Sequence, residues 1–425
     1  MYYTADVHTH SHYAEKCSPL LCLESMYQWA QIKGINVIGT GDFTHPAWFK
    51  ELQDKLEPDG NGLYKLKQPP QSPGIPGIKL THNTVRFCLS AEISSEYIYN
   101  NKLRRIHNLL YAPDFDTAGQ INARLAKFGN LSLNGRPTVT LSSRDLLELV
   151  ISVSDRAYLV PAHAWTPWFS LFGSVGGYDS LDECFLDLTP HIFAIETGLS
   201  SDPPMNWLCS NLDHITLLSS SDAHSLENLG REVNRFDTEM SYDGMFDAIK
   251  TGIGFMGTLE AFPEKGKYSY DGHRICNMRL SPYQTIVNDG ICPVCGKPVT
   301  MGAMYRLALL SDRVVPQQPA RAADFDYIIP LPEILSELHG VGVKTKKIEA
   351  AYSKAINFAG NEFNLLKKMP LEDIHAWQPS LGEAIKRMRK EEVHCIPGYD
   401  GVYGSILLFP DGSHRPGKDQ QGTLF

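Results

Sequence analysis

Short apolar runs recur through the first half of the chain, and most of them end close to a histidine or a carboxylate. Six runs are rich in Val, Ile and Leu, and they start at Asn36, Val85, Asn108, Ala157, Ile192 and Ile215. A polar loop or a stretch with helical character follows each run, as is typical of parallel strands joined by crossover helices. Helices are predicted over residues 21–33, 118–128 and 143–153, the last with Ser142 as its N-cap. The sequence therefore predicts an α/β fold.

The residues near the ends of these runs are of the types that bind metals. His8 and His10 belong to an extended stretch at the start of the chain, where residues i and i+2 point to the same side and can converge on one ion. Later runs lead to further ligand types: Asp42, His45, Glu92, His107, His163, Glu196, Asp222 and His224. In a barrel of parallel strands, such positions share one rim. The alternative is that they are ordinary polar loop residues. The His-x-His pair at one end of the set and the Asp-x-His pair at the other argue against it.

The mixture of ligands favours a particular chemistry. Imidazoles combined with carboxylates suit Zn²⁺, Mn²⁺ or Fe. A carboxylate can also bridge two ions that are close enough to hold one phosphate between them. The residues alone therefore predict metal-assisted phosphoester hydrolysis.

The motifs Asp6-x-His8-x-His10, Gly41-Asp42, Glu92, His107, His163 and Asp222-x-His224 resemble those of the PHP superfamily (polymerase and histidinol phosphatase). The resemblance covers about residues 1–260 and implies a distorted seven-stranded (βα)7 barrel with two divalent ions (Zn²⁺, Mn²⁺ or Mg²⁺). It implies one ion held by His8, His10, Glu92 and Asp222, a second held by Glu92, His107 and His163, and Asp42 and His224 as further ligands.

A third metal in this superfamily uses a histidine directly after the aspartate of the second motif. Here Phe43 follows Asp42, and Lys16 occupies about the place of another histidine of that site. His45 is a candidate substitute. The sequence therefore leaves a third metal open.

Composition places few limits on this hypothesis. The net charge is −9, but metal ligands are often acidic, and DNA responds to a local patch of charge rather than to the sum. No apolar run approaches the roughly 20 residues that span a membrane, so we expect a cytoplasmic protein without a membrane partner. Its nine cysteines are expected to be reduced.

A second cluster of ligands follows the point near residue 260 at which the strand–helix alternation stops. His273, Cys276, Cys292 and Cys295 have the spacing of a closed zinc knuckle. We predict one structural Zn²⁺ in a small module over residues 261–325. The alternative is a reduced Cys-x-x-Cys pair without a metal.

Residues 326–410 are predicted to form a helical DNA-binding domain. A helix-hairpin-helix-like turn at Gly340-Val-Gly342 can present backbone N–H groups to a phosphate, with Lys344, Lys346 and Lys347 alongside. Residues 340–392 contain ten Lys or Arg against seven Asp or Glu, although the chain as a whole is acidic. An ordinary solvated helical face is the alternative.

The segment 411–425 is rich in Gly, Ser, Pro and Gln, which predicts a flexible tail. Gln421, Leu424 and Phe425 look like the Gln-x-x-Leu-Phe peptide with which bacterial proteins bind the DNA sliding clamp. Docking of Leu424 and Phe425 on their own domain is the alternative.

Over nearly its full length the chain resembles the endonuclease Q family of DNA repair enzymes. The resemblance rests on the PHP motifs together with Tyr270-Asp-Gly-His-Arg, Cys292-Pro-x-Cys-Gly, Leu-Ser-Asp312-Arg313, Gly340-Val-Gly and Pro397-Gly-Tyr-Asp-Gly-Val-Tyr. It implies hydrolysis of the phosphodiester 5′ to a deaminated base (hypoxanthine, uracil or xanthine) or an abasic site, with damaged DNA as the partner.

We predict catalytic roles for Asp222, Glu92 and His10, with hydroxide activated by the metal pair as the nucleophile. Trp165 and Trp168 are candidates for stacking on a base that has left the duplex, and packing beneath a loop is the alternative. Two rival functions remain. A small-molecule phosphatase of the histidinol-phosphate class leaves the C-terminal half without a role, and the intact ligand set argues against an inactive DNA-binding adaptor.

Overall fold

The computed structural model describes residues 1–72, 74–79 and 83–410. The strands are β1 (Tyr2–Asp6), β2 (Val37–Gly39), β3 (Leu56–Pro58), β4 (Tyr64–Leu66), β5 (Arg86–Tyr99), β6 (Lys102–Ala112), β7 (Thr138–Val139), β8 (Tyr158–Pro161), β9 (Ala194–Glu196), β10 (Thr216–Leu218), β11 (Val233–Asp237), β12 (Phe255–Glu260), β13 (Asp271–His273), β14 (Met278–Leu280), β15 (Phe325–Tyr327), β16 (His394–Ile396) and β17 (Ser405–Leu407). The helices are α1 (Leu23–Lys33), α2 (Pro46–Lys55), α3 (Phe115–Leu125), α4 (Ser143–Ile151), α5 (Leu181–Phe185), α6 (Pro203–Asn206), α7 (Tyr242–Thr251), α8 (Pro282–Val287), α9 (Ala303–Leu310), α10 (Leu331–His339), α11 (Lys346–Ala359), α12 (Leu371–Trp377) and α13 (Pro379–Arg389).

The three helices predicted in the first domain are confirmed, with shifted ends. The helix expected over residues 118–128 is α3, which begins earlier because the Asp114 carboxylate accepts a hydrogen bond from the backbone N–H of Thr117. Ser142 caps α4 through the backbone N–H of Asp145, at 3.0 Å. The α/β fold class is therefore confirmed in its outline.

One large mixed sheet carries most strands, with the main path β15-β12-β11-β1-β2-β5-β4-β3 and with β6, β7 and β8 joined through β5 and β6. The strands β1, β2 and β5 are parallel, but β6 is antiparallel to β5 and to β8. The prediction of uniformly parallel strands is thus wrong. The β5–β6 hairpin turns at Asn100 and Asn101, which both have positive φ, as a tight type I′ turn requires.

Residues 57–77 contain a Pro-Pro pair and repeated Gly-Pro signals, which predict an irregular loop, but the first part of this segment contributes strands. β3 and β4 pair as an antiparallel hairpin, and β4 adds to the edge of β5. The loop prediction is wrong for this part of the segment because Tyr64 and Leu66, like Leu56 directly before the segment, are buried in the first core.

The strands β9 and β10 form a separate parallel pair. Backbone hydrogen bonds connect it on both sides, because Ala164 N–H donates to the Glu196 carbonyl at 2.8 Å and Asp222 N–H donates to the His8 carbonyl at 2.9 Å. The ends of β8, β9, β10 and β1 are thereby brought next to one another. The seven-stranded PHP barrel itself stays a prediction.

The C-terminal helices form a second hydrophobic core around Leu331, Leu335, Ile356 and Leu381. β15 nevertheless pairs with β12, so the chain returns to the large sheet at the boundary predicted between the last two domains. A buried ion pair joins Lys33 of α1 to Glu362, at 2.8 Å. Within the described ranges no helix combines the length and the apolar character that crossing a membrane requires.

Candidate metal centre

Four ligand atoms meet beyond the ends of β1 and β10, next to the middle of β5, which carries Glu92. Nε2 of His10 lies 3.1 Å from Oδ1 of Asp222 and 3.2 Å from Oε2 of Glu92. Nε2 of His8 lies 3.5 Å and 3.6 Å from the same two oxygens. The four atoms lie within 4.8 Å of one another, close enough to surround one cation. The structure thus brings together the first predicted ligand set.

A second set shares the Glu92 carboxylate. Oε1 of Glu92 lies 2.7 Å from Nδ1 of His107 and 3.1 Å from Nε2 of His163, and the two ring nitrogens are 3.3 Å apart. Glu92 therefore turns one oxygen to each set, as a carboxylate that bridges two ions does. The second predicted set is also brought together.

The donor atoms fit divalent cations. Nε2 of His8 is buried and has no hydrogen-bond partner among the described residues. A buried ring nitrogen costs free energy when it is left unpaired, and coordination of a metal would satisfy it. Nitrogen and carboxylate oxygen donors are the combination that Zn²⁺ and Mn²⁺ accept.

Acceptors behind the ligands fix the orientation of the rings. Glu196 Oε2 lies 2.8 Å from Nδ1 of His8 and accepts a hydrogen bond from the backbone N–H of His163 at 3.0 Å. Asp42 Oδ1 lies 3.0 Å from Nδ1 of His10. With a proton on Nδ1, each ring directs the lone pair of Nε2 into the centre, as in carboxylate–histidine–metal arrangements.

Asp42 and His224 are not part of either ligand set in the structure. The second oxygen of Asp42 accepts hydrogen bonds from the backbone and the hydroxyl of Ser11, at 2.6 Å each. Nδ1 of His224 lies 2.9 Å from the carbonyl oxygen of Asp222, and its ring centroid is 4.7 Å from that of His10. Asp42 is placed to orient His10, and His224 borders the centre.

The structure gives no support to His45 as a ligand of the third metal that the sequence leaves open. This side chain caps α2, since its Nδ1 accepts from the backbone N–H of Trp48, and its Nε2 lies 3.3 Å from the carbonyl oxygen of Ser132. Both ring nitrogens are therefore engaged. Tyr13 stacks on the ring at 4.3 Å.

Arg136 also lies in the centre, although no sequence pattern predicted it there. Its Nη1 donates to Oε2 of Glu92 at 3.1 Å, and its side chain is 27% exposed. Burial lowers the pKa of Arg136, but Glu92 and Asp222 outweigh burial and raise it. The centre thus contains a permanent positive charge that is open to solvent and to an anionic substrate.

The carboxylates control the protonation of the histidines. Burial lowers the pKa of His8, but Glu196 and Asp222 raise it well above its usual range. Burial lowers the pKa of His107 to about 4 despite the opposing effect of Glu92, so its ring is neutral and available as a ligand. The negative charge of the centre is therefore balanced by protons on some of its histidines, which metal cations would replace.

Several residues of the centre have strained backbones. Asp42, His163, Phe169 and Asp222 all have positive φ, between 30° and 59°. Non-glycine residues rarely adopt this conformation, and it persists where the surrounding structure enforces it. The fold holds these side chains in position at a cost, as functional sites commonly do.

The two tryptophans predicted to stack on a base have different environments. Trp165 is 1% exposed, packs on Phe172 and donates to Asn206 at 2.8 Å, so it belongs to the core. Its predicted stacking role is wrong because its ring cannot reach a base. Trp168 is partly exposed and contacts Tyr268, with ring centroids 4.9 Å apart.

The predicted zinc ligands His273, Cys276, Cys292 and Cys295 also converge, with ligand atoms within 4.8 Å of one another. Burial raises the pKa of Cys292, but the backbone N–H groups of Val294 and Cys295 lower it to about 7. The local core comprises the buried residues Leu280, Cys292 and Val299. The cluster is therefore a candidate site for a metal that stabilises its own module.

The predicted DNA-contacting turn connects α10 to α11. Gly340 has φ of +62° and ends α10, and Lys346 begins α11. Gly342 is exposed, and so are Lys344, Lys346 and Lys347. The geometry is compatible with a phosphate contact, which stays a prediction. The predicted clamp-binding residues Gln421, Leu424 and Phe425 lie outside the described residues.

Comparisons with known proteins match both halves of the chain. The family model of the MJ0043 C-terminal domain matches residues 330–392. Protein MJ0043 of Methanocaldococcus jannaschii is 29% identical over 255 residues, which make up 58% of this chain and 32% of that protein. The matched part of this chain thus spans about a third of the length of that relative.

Two solved structures align with almost the whole chain. The lesion-specific endonuclease PfuEndoQ from Pyrococcus furiosus has a TM-score of 0.83 and 28% identity, and the alignment covers 96% of this chain and 95% of that one. The second structure is an endonuclease Q complex with a 27-mer duplex substrate that has an abasic lesion at the active site. Its TM-score is 0.84 at 28% identity, and the alignment covers 99% of this chain and 100% of that one. Over nearly its full length, this chain is therefore similar to endonuclease Q.

Proposed function

We propose that this protein is a DNA repair endonuclease that hydrolyses the phosphodiester 5′ to a damaged nucleotide in a metal-dependent reaction. One observation carries the proposal: two ligand sets share the Glu92 carboxylate in a chain that aligns over nearly its full length with endonuclease Q. The abasic lesion at the active site of that complex supports damaged DNA as the substrate class.

Divalent ions bound in these sets would polarise the scissile phosphate and make water acidic enough to supply a nucleophile near neutral pH. Glu92 would hold both sets at a fixed separation through its two oxygens. The Asp222 side chain is 28% exposed, so it faces the side from which a phosphate can approach and would orient the nucleophile. His10 would keep Asp222 in place through the contact at 3.1 Å.

Arg136 is placed to neutralise the phosphate. Its guanidinium reaches the shared carboxylate, and a planar guanidinium can donate two parallel hydrogen bonds to phosphate oxygens. Such a donor stabilises the charge that develops on these oxygens in the transition state. We therefore add Arg136 to the residues predicted to act in catalysis.

The substrates that we propose are duplexes with hypoxanthine, uracil, xanthine or an abasic site. A damaged base would leave the stack before it is recognised, since its altered edge is otherwise hidden in the duplex. A small-molecule phosphatase needs only the metal centre, whereas an endonuclease also uses the zinc cluster and the C-terminal helices. An inactive adaptor would have no use for the complete ligand sets.

A direct test incubates the purified protein and Mn²⁺ or Zn²⁺ with labelled duplexes carrying deoxyinosine, deoxyuridine, an abasic site or no lesion. We expect one incision 5′ to each lesion and an intact control duplex. Histidinol phosphate is the rival substrate. Its hydrolysis without incision of any duplex would overturn the proposal in favour of the phosphatase.

We further propose that the Gln421, Leu424 and Phe425 motif binds the DNA sliding clamp. In peptides of this kind an adjacent Leu and Phe fill an apolar pocket, and a flexible segment folds when it binds. Deletion of residues 421–425 should leave incision of a short oligonucleotide unchanged and eliminate association with the clamp. Unchanged clamp binding, or a loss of stability, would refute the tether.

A further inference from the structure

The Pro397–Tyr403 segment forms the turn between β16 and β17 and is attached to the zinc-ligand module. Asp400 accepts hydrogen bonds from the backbone N–H of Arg274 at 2.7 Å and from the hydroxyl of Thr300 at 2.6 Å. The carbonyl oxygen of Pro397 accepts from Arg279 at 3.1 Å. The turn is therefore fixed to residues that lie between the zinc ligands and directly after them.

The same turn is packed against the segment 263–268, which leads out of the first domain. Gly398 N–H donates to the carbonyl of Glu264 at 2.8 Å, and Gly401 N–H donates to that of Lys267 at 2.9 Å. A Cβ at Gly404 would collide with the carbonyl oxygen of Glu264, so the close approach requires glycine. A turn held from two directions can position an exposed side chain accurately.

The side chain that this turn presents is Tyr403, which is 69% exposed. Nζ of Lys267 lies 5.7 Å from the centroid of its ring and 5.6 Å from that of Tyr268. Tyr268 in turn contacts Trp168, with ring centroids 4.9 Å apart. We call Trp168, Tyr268, Lys267 and Tyr403 the aromatic strip.

The aromatic strip begins beside the metal centre. The carbonyl oxygen of Trp168 accepts from Thr166 Oγ1 at 2.9 Å, and that hydroxyl lies 3.1 Å from Nδ1 of the ligand His163. The next residue, Phe169, stacks on the ligand His107 with ring centroids 4.9 Å apart. A molecule bound on the strip would therefore reach the centre at its Trp168 end.

We propose that the aromatic strip binds unpaired nucleotides of the DNA strand next to the bond that is cut. Aromatic rings stack on bases that have left a duplex, and an ammonium group between two rings is suited to the phosphates that link them. Paired bases expose only their edges and cannot stack in this way. The proposal rests on the proposed function, because it assigns a binding surface for the same substrate.

The test measures DNA binding by the full chain. Every variant also carries Asp222→Asn, so that the DNA is not cleaved during the measurement. One probe is a single strand with 2-aminopurine beside an abasic site, and the other is an undamaged duplex of the same sequence. Tyr403→Ala removes a ring, Tyr403→Phe keeps it, and Lys267→Gln removes the charge. Tyr283→Ala is the matched control, since Tyr283 is 75% exposed on α8.

We expect Tyr403→Ala to weaken binding of the single strand by roughly 5- to 100-fold and to abolish the quenching of 2-aminopurine. Binding of the duplex should change much less. Tyr403→Phe should behave like the parent, Lys267→Gln should bind the single strand more weakly, and Tyr283→Ala should change neither.

Unchanged single-strand binding by both Tyr403→Ala and Lys267→Gln would overturn the proposal. The exposed rings would then be assigned to contact with a protein partner instead. An equal loss on duplex and single strand would also overturn it. If Tyr403→Ala does not fold, Lys267→Gln decides the question. Wild-type protein is tested for incision in parallel, so that failure to cut a lesion counts against the proposed function while the strip is judged by single-strand binding.

Discussion

The metal centre takes its ligands from strands and strand ends distributed between His8 and Asp222, whereas the zinc-type cluster takes all four from residues 273–295. Most of the large first core surrounds the strands that carry the metal centre. The core beside the Cys and His cluster includes only Leu280, Cys292 and Val299 as buried residues of the described chain. The first site is supported by packing, and the second has little packing to support it.

This difference predicts what each metal contributes. Where acceptors such as Glu196 and Asp42 already orient the rings, the fold exists before an ion binds, and the ion supplies chemistry. Where four ligands connect a module with almost no core, binding of the ion supplies part of the folding free energy. The predictions below test this contrast, from the largest expected effect to the smallest.

Asp222→Asn should reduce cleavage of an abasic duplex by more than the roughly 100-fold that loss of an orienting partner costs. The substitution removes a charged ligand oxygen at the exposed side of the centre but no contact to the DNA backbone. Affinity for DNA should stay within a few-fold, as measured by fluorescence anisotropy. An equal loss of binding and cleavage would contradict the role assigned to Asp222.

Cys295→Ser should release one zinc per chain and lower the thermal midpoint by several degrees, because the module loses folding free energy. Elemental analysis and a thermal scan measure the two effects. Cys22→Ser is the matched control, since Cys22 lies beside Ser25 and outside both metal clusters. An unchanged zinc content in Cys295→Ser would show that the four side chains do not hold a metal.

Glu196→Gln should weaken metal binding at the active centre by about 10- to 100-fold and leave the thermal midpoint close to that of the parent. Gln can still accept from the backbone N–H of His163, but it loses the negative charge that faces His8. Titration of metal-stripped protein measures the affinity. Glu227→Gln, at an exposed position, is the control, and equal affinities in the two variants would remove Glu196 from the mechanism.

Lys346→Ala should leave both metal sites intact and flatten the slope of log affinity against log salt by somewhat less than about one. Lys346 is exposed at the start of α11, where a phosphate would also meet the N-terminus of the helix. Lys50→Ala on α2 is the control. Equal slopes for the two variants would assign Lys346 to an ordinary solvated surface.

The ligand residues could be predicted from the sequence because their signals are local, whereas their division into two sets was implied by the resemblance to the PHP superfamily. His8 and His10 alternate on one extended stretch, and the later ligands border recognisable apolar runs in a fixed order. The residues that orient the ligands were harder to predict from the sequence. Glu196 stands near the end of a run like the ligands, and only the fold shows that it faces Nδ1 of His8 rather than a metal.

Other features depended on contacts that no local pattern records. Arg136 reaches Glu92 from a turn without regular structure, so its role follows from tertiary packing alone. Trp165 and Trp168 are separated by two residues, yet one is in the core and the other near the surface. The β5–β6 hairpin had a local signal in Asn100-Asn101 between two apolar runs, which favours a tight turn over a crossover.

The central claim is that the active centre needs its metals for chemistry, whereas the zinc cluster needs its metal for folding. It is tested most directly by brief treatment with a mild chelator, followed by cleavage of an abasic duplex, zinc analysis and a thermal scan on the same sample. We predict that cleavage stops and returns when Mn²⁺ or Zn²⁺ is added, while one zinc and the thermal midpoint are retained throughout. Cleavage that persists after the active-centre metals are removed, or that disappears only together with the folded state, would contradict the account.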